Sequence, residues 1–124
     1  MALCMLCAVY LLAGEGAVLV GKTAGGSRGS IVIDSGHGGI DPGVVGIGKL
    51  EEKDVNLKIA GYLAEYLKKE GYETVMTRES DKGLYEEDSR NKKVQDMQNR
   101  CALIKETKPL LTVSIHQNSY PDQS

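Results

Sequence analysis

Ile31-Val32-Ile33-Asp34-Ser35-Gly36-His37-Gly38-Gly39-Ile40-Asp41-Pro42-Gly43-Val44-Val45-Gly46-Ile47-Gly48 is the stretch on which the fold turns. Three β-branched apolar residues run into an acid, then a histidine between glycines, then a long loop with few bulky side chains. That pattern predicts a short buried strand, Ile31 to Asp34, ending in a loop where a ligand or metal can approach the backbone. A histidine just past the carboxyl end of such a strand sits where open α/β sheets place their chemistry.

Outward from this stretch the chain alternates. From about Glu51 to Glu70 the apolar residues Val55, Ile59, Leu63 and Tyr66, with Leu67 beside them, recur at helical spacing, and Gly71 follows as a stop. Glu73 to Thr77 predicts a second strand and Lys82 to Asn91 a charged loop. Val94, Met97, Cys101 and Ile104 mark a second amphipathic helix that ends before Pro109. Leu110 to Ile115 predicts a third strand, running straight into a second histidine, His116.

Strand–helix–strand–helix–strand with short connections implies parallel strands and right-handed crossovers. The fold class is therefore α/β, a mostly parallel sheet flanked by helices. All three strands then present their carboxyl ends on one edge, so His37 and His116 can point into one site. Three strands and two helices leave exposed edges and a thin core. Residues 31–124 accordingly read as the front part of a longer domain.

At 124 residues the chain holds one domain at most. A hydrophobic content of 41% and a charged content of 26% exclude global disorder. The net charge of -2 offers no basic face for nucleic acid. Six tyrosines without Phe or Trp predict an aliphatic core with tyrosines at its margins. Of the three cysteines, Cys4 and Cys7 lie in an apolar run, where they read as small apolar filler and not as a redox or zinc motif.

That run, Met1 to Val20, is interrupted by Glu15, falls short of the roughly 20 apolar residues of a spanning helix and lacks a basic n-region. It reads as a signal peptide or membrane anchor whose start is missing or mis-assigned; a buried strand or helix of the domain is the alternative. Gly21 to Ser30 is Gly/Ser-rich and reads as a linker. Gly16-x-x-x-x-Gly21-Lys22-Thr23 matches a phosphate-binding loop formally. A helix must follow such a loop, and Ala24-Gly25-Gly26-Ser27 breaks one, so the match is coincidental.

His37 and His116 are the only two histidines, and both follow strand ends. Together on one edge they point to a metal, which needs a third ligand and, for catalysis, an open position. Leu50-Glu51-Glu52-Lys53-Asp54 lies at the start of the first helix, beside the loop carrying His37. Helical phase leans slightly toward Glu52 over Glu51, since both flank the apolar stripe. Acids at this position also favour a helix N-terminus through its dipole.

Four motifs occur in order: Ile33-Asp34-Ser35-Gly36-His37-Gly38-Gly39, Glu52-Lys53-Asp54-Val55-Asn56-Leu57, Thr77-Arg78-Glu79-Ser80-Asp81 and Ser114-Ile115-His116-Gln117-Asn118. Asn99-Arg100 before the third strand also fits. With these the chain, from Ile31 to its end, resembles the zinc-dependent N-acetylmuramoyl-L-alanine amidases that cleave peptidoglycan. Gly83-Leu84-Tyr85 with Asp88, Arg90, Asn91 and Lys92, and the ending Ser119-Tyr120-Pro121, resemble the spore-cortex branch.

The resemblance implies a phosphorylase/hydrolase-like α/β amidase fold in which His37, Glu52 and His116 bind one Zn²⁺. It implies hydrolysis of the amide between the N-acetylmuramic acid lactyl group and L-alanine, with peptidoglycan as substrate. The location it implies is extracytoplasmic: secreted or anchored by the N-terminal segment and, for the spore branch, in the forespore envelope. The family's general base is a glutamate on a later strand, expected beyond residue 124, and no acid here matches it. The chain alone is therefore expected to be weak or inactive.

Supporting roles fall to Asp34, as the acceptor of His37's free ring N–H or as a turn residue, and to Asn118, as a loop-holding Asx residue. Arg78 reads as structural, pairing with Asp81 or a sheet-end carboxylate. The glycines from Gly38 to Gly48 read as turn formers. Two other functions compete: a non-catalytic zinc- or peptidoglycan-binding fragment, and a nucleotide-binding domain using the glycine loops. Zinc content separates the latter from the amidase reading.

Overall fold

A computed structural model describes residues 26–118. The apolar segment Met1–Val20, the Cys4/Cys7 pair, the loop-like Gly16–Thr23 match and Ser119–Pro121 lie outside them. The described chain forms β1 (Ser30–Ser35), α1 (Glu52–Lys69), β2 (Glu73–Met76), α2 (Lys92–Thr107) and β3 (Leu111–Ile115), with a 3-10 turn at Ile47–Lys49. The strands lie in the order β2-β1-β3, all parallel. Ile33 pairs with Met76 on one side and Val113 on the other. Among the described residues no helix is long and apolar enough to cross a membrane.

Because β1 is central, it is covered on both faces, as its unbroken Ile31-Val32-Ile33 run requires. Ile31 and Ile33 pack against Ala60 and Ala64 of α1, with Leu63, Leu67, Tyr72, Met76, Val113 and Ile115 around them. Strand alternation sends Val32 and Asp34 to the opposite face, where Arg100 of α2 meets Asp34. The chain leaves β1 toward β2, then returns past β1 to β3. A 2-1-3 order of this kind has its topological switch point between β1 and β3, and ligands bind outside the carboxyl ends there. His37 and His116 follow those two strands.

Both helices are rotated from the faces that the apolar spacing predicts, though Leu63 and Leu67 of the α1 stripe do pack on the core. In α1 the buried row is Glu52, Asn56, Ala60, Ala64, one residue every turn, while Ile59 and Tyr66 are 42% and 61% exposed. The small alanines let the helix approach the sheet closely, and the same row carries Glu52 and Asn56 inward. In α2 Val94 and Met97 are exposed and Arg100 is buried. The charge on Asp34 decides that choice, since a carboxylate beside a sheet face must be paired before it can be covered.

The helix ends follow local chemistry. After α1, Gly71 takes φ +87, and the amides of Gly71 and Tyr72 bond back to Lys68 and Leu67 at 3.1 and 3.0 Å. That is a Schellman stop, with Tyr72 and Leu67 in contact range of the core. Asn91 caps α2 by accepting from the Val94 amide. Arg28 to Ser30, which composition assigns to the linker, join the domain instead. Arg28 and Gly71 are bonded through the backbone, the Arg28 guanidinium sits over Tyr72, and β1 itself starts at Ser30.

Candidate metal centre

His37 stands on the first turn after β1 with φ +63, a left-handed conformation costing a non-glycine residue of the order of 1–3 kcal/mol. Two buried arginines hold it there. Arg100 donates to the carbonyls of His37 at 2.7 Å and Ser35 at 2.8 Å. Arg78 donates to the carbonyls of Ser35, Gly36, Lys53 and Ser80 at 2.7–3.2 Å. Arg78 thus serves backbone oxygens, where sequence reasoning expected Asp81 or another carboxylate. Asp81 pairs with Lys53 instead, at 2.8 Å.

Glu52 opens α1 and is 5% exposed. Its Oε2 accepts from the Val44 amide at 2.9 Å, and Oε1 from the Gln117 amide at 2.9 Å and Asn56 at 3.3 Å. Burial alone would raise this carboxyl. The donors from Val44, Gln117 and Asn56, with the nearby His37 ring, outweigh it and hold the pKa to about 2. Glu51, the alternative at the same helix start, turns to Lys53 at 3.1 Å.

Three atoms converge at the switch point. His37 Nε2 lies 3.2 Å from Glu52 Oε1, and His116 Nδ1 lies 3.2 Å from each of them. The ring planes cross at 80° with centroids 4.8 Å apart, so the nitrogens meet at an edge. A tetrahedral ion with bonds of about 2.0–2.1 Å needs donor separations of roughly 3.3–3.4 Å. The equilateral 3.2 Å triangle meets that requirement without rearrangement, and two imidazoles with one carboxylate are a fitting donor set for a divalent transition metal. Among the described residues this His/Glu/His group is the cluster able to hold a metal ion. Glycine makes the approach possible: a side-chain carbon on Gly36 would overlap the His116 ring, and one on Gly43 would fall 2.6–2.8 Å from Glu52 and His37.

The supporting residues differ from those expected. Asp34 does not face the His37 ring. It accepts from Arg100 at 2.8 Å, Ser114 at 2.8 Å and Thr77 at 3.0 Å. Burial pushes its carboxyl up, but these partners hold it below the usual range. His37 Nδ1 is met by Asp41, whose Oδ2 is 2.9 Å away, while Lys93 reaches Asp41 Oδ1 at 3.0 Å. Burial opposes ionisation of Asp41 too, and His37, Lys93 and the Gly43 backbone bring it to about 2. Asn118 is exposed, and no hydrogen bond of its side chain is found among the described residues. Gln117 ties the end of β3 instead, through Glu52 and through Asn56 at 3.1 Å.

The same edge opens into a cleft between the His37 loop and α2, walled by Ile40, Tyr85, Met97 and Lys93, with both histidines at its floor. Over residues 31–124 the chain matches the N-acetylmuramoyl-L-alanine amidase family. It is a member of that family.

The germination-specific N-acetylmuramoyl-L-alanine amidase of Bacillus subtilis is 44% identical over 96 residues, which are 75% of this chain and 40% of that protein. Among solved structures, the CwlD amidase of Clostridioides difficile, in complex with the GerS lipoprotein, matches with TM-score 0.73 and 37% identity over 77% of this chain and 51% of that one. The catalytic domain of CwlV, an amidase from Bacillus (Paenibacillus) polymyxa var. colistinus, matches with TM-score 0.63 and 35% identity over 75% and 47%. This chain therefore spans about half or less of the length of these relatives. The shared region is the α/β unit with the parallel sheet described above.

Proposed function

We propose that this amidase-family chain carries the zinc-binding part of an enzyme that hydrolyses the amide between the lactyl group of N-acetylmuramic acid and L-alanine of peptidoglycan. The observation that supports it most is the 3.2 Å triangle of His37 Nε2, Glu52 Oε1 and His116 Nδ1 at the sheet's switch point. Bound there, Zn²⁺ supplies a Lewis acid for the amide carbonyl and a water that ionises near neutral pH. Neutral imidazoles and one carboxylate leave the site with net positive charge, which suits both tasks.

The chain's own residues perform the rest of what it offers. Arg78 and Arg100 fix the backbone under His37, and Val44, Gln117 and Asn56 keep Glu52 ionised and aimed. Ile40, Tyr85 and Met97 give the cleft an apolar wall beside the histidines. Asp34, Asp41 and Asp96, the carboxylates of that cleft, are each already bound to a cation. We therefore assign the proton-accepting role to none of them; the resemblance to the amidases implies a glutamate outside residues 1–124 for it. By itself the chain then binds zinc and turns over substrate weakly or not at all, and the binding-fragment reading describes it in isolation.

The identity to the germination-specific relative supports a role in the spore cortex, at an extracytoplasmic site such as the forespore envelope. Residues 1–20 would act there as signal or anchor, ahead of a catalytic part beginning near residue 28. The experiment is metal analysis of chelator-stripped, zinc-reloaded protein, together with assay of L-alanine amino termini released from isolated cortex. One zinc per chain, lost in His116→Ala, is the expected result. A ratio near zero with tight nucleotide binding would overturn the reading.

A further inference from the structure

The tight turn after His37 folds the chain back on itself. Gly38 and Asp41 exchange backbone hydrogen bonds at 3.0 and 3.2 Å, and this places the Asp41 carboxylate beside the ring four residues earlier. The turn is clamped from outside. Asp81 accepts from the Gly39 amide, Lys53 donates to the Gly39 carbonyl, and Ile40 donates to the Tyr85 hydroxyl, all at 2.9–3.0 Å. Asp41 is thus delivered to His37 by a fixed loop, and Lys93 of α2 holds its other oxygen from across the cleft.

An ionised carboxylate only accepts hydrogen bonds, so the ring nitrogen facing it must carry the proton. The opposite nitrogen, Nε2, is then the lone pair, and Nε2 is the atom in the 3.2 Å triangle. We propose that Asp41, braced by Lys93, is a positioning residue that sets the tautomer and ring orientation of His37 for metal binding. This rests on the metal reading given above. Among the described residues His116 has no such partner: its Nδ1 is in the triangle and its ring is half exposed. Among the described residues the centre is therefore asymmetric, with a carboxylate behind His37 and none behind His116. Carboxylate–histidine–metal pairings of this kind carry about 10–100-fold in metal affinity.

The test compares Asp41→Ala, Asp41→Asn and Lys93→Met with the unaltered chain by two measurements. Long-range ¹H–¹⁵N spectra of the chelator-treated protein above pH 8 report which nitrogen of His37 is protonated, without any metal. Competition with a chromophoric chelator then reports affinity for Zn²⁺ and Co²⁺. The unaltered chain is expected to show the Nδ1–H form. Asp41→Ala should shift His37 toward Nε2–H and weaken metal binding about 10–100-fold. Asp41→Asn, whose amide oxygen still accepts from Nδ1–H, should restore much of both. Lys93→Met should cost only a few-fold, because its ion pair is exposed and screened. An Asp41→Ala protein with the native tautomer and affinity would overturn the proposal, as would an Asn variant no better than Ala. An unaltered chain that holds the Nδ1–H form but binds no metal would count against the zinc reading alone.

Discussion

Gly36→Ala separates the metal centre from the fold more cleanly than replacing a ligand. Gly36 is buried between β1 and the His37 turn, and its φ is not in the positive region, so the backbone accepts alanine. What the new methyl meets is His116: it would overlap Cε1 and Nε2 and lie 2.8 Å from Nδ1. Ordinary contact needs about 3.4 Å or more, so the ring must move by about 1 Å, whereas metal–ligand distances tolerate only about 0.2 Å. The ring can go, since its side chain is 48% exposed at the mouth of the site. Losing one of three protein ligands should cost more than losing a ligand's hydrogen-bond partner, hence at least about 100-fold in affinity. The fold should change little. A glycine-to-alanine exchange stabilises by about 0.4–1 kcal/mol through the unfolded chain, and displacing an exposed ring offsets part of that. The assays are competitive Zn²⁺ or Co²⁺ titration and urea unfolding in chelator. Metal affinity within threefold of the unaltered chain, or a loss of several kcal/mol in stability, would refute the reasoning.

Three further outcomes follow from the same geometry. Gly61→Ala lies in α1 with nothing within 4 Å of the added carbon. It should raise stability by about 0.5–1 kcal/mol in urea and leave metal affinity unchanged. Arg100→Met removes the cation from the half-buried Asp34 carboxylate, leaving it only Ser114 and Thr77, and removes the donor from the His37 carbonyl. It should destabilise the chain by about 3–5 kcal/mol, measured by urea unfolding, and Arg100→Lys, with one amine for several acceptors, should recover only part. In chelator, the Glu52 carboxyl lies at about 2 in the folded chain against 4.5 for the free group. Its contribution is present above the unfolded value and lost as pH falls through the folded one. Its share of the stability should therefore drop by about 3 kcal/mol on acidification from pH 5 to pH 2, beside the losses from Asp41 and Asp34, and Glu52→Gln should remove that share from the slope.

Much of this centre is legible in the residues, and the parts that are not share a cause. His37 and His116 can be placed because strand period and parallel topology alone send both to one edge, before any contact is known. Glu52 is harder: apolar spacing in α1 points to Val55 and Ile59, yet the buried row is Glu52, Asn56, Ala60, Ala64. The signal is there in the two alanines one turn apart, since small residues mark where a helix touches a sheet, but a reading that counts only large apolar groups passes over them. Arg100 hides for the converse reason. A buried arginine in α2 makes sense only once Asp34 is seen to face that helix, and strand alternation does put Asp34 opposite Ile33 and Ser35. Following the same alternation would have removed Asp34 as a partner for the His37 ring, leaving an acid on the loop. His37-Gly38-Gly39-Ile40-Asp41 supplies one at the distance a glycine turn can close. Asp34 and Arg78 are misjudged because their partners are distant in sequence, whereas apolar strands are placed by neighbours. The metal ligands escape that rule only where topology, acting on the backbone, brings their partners for them.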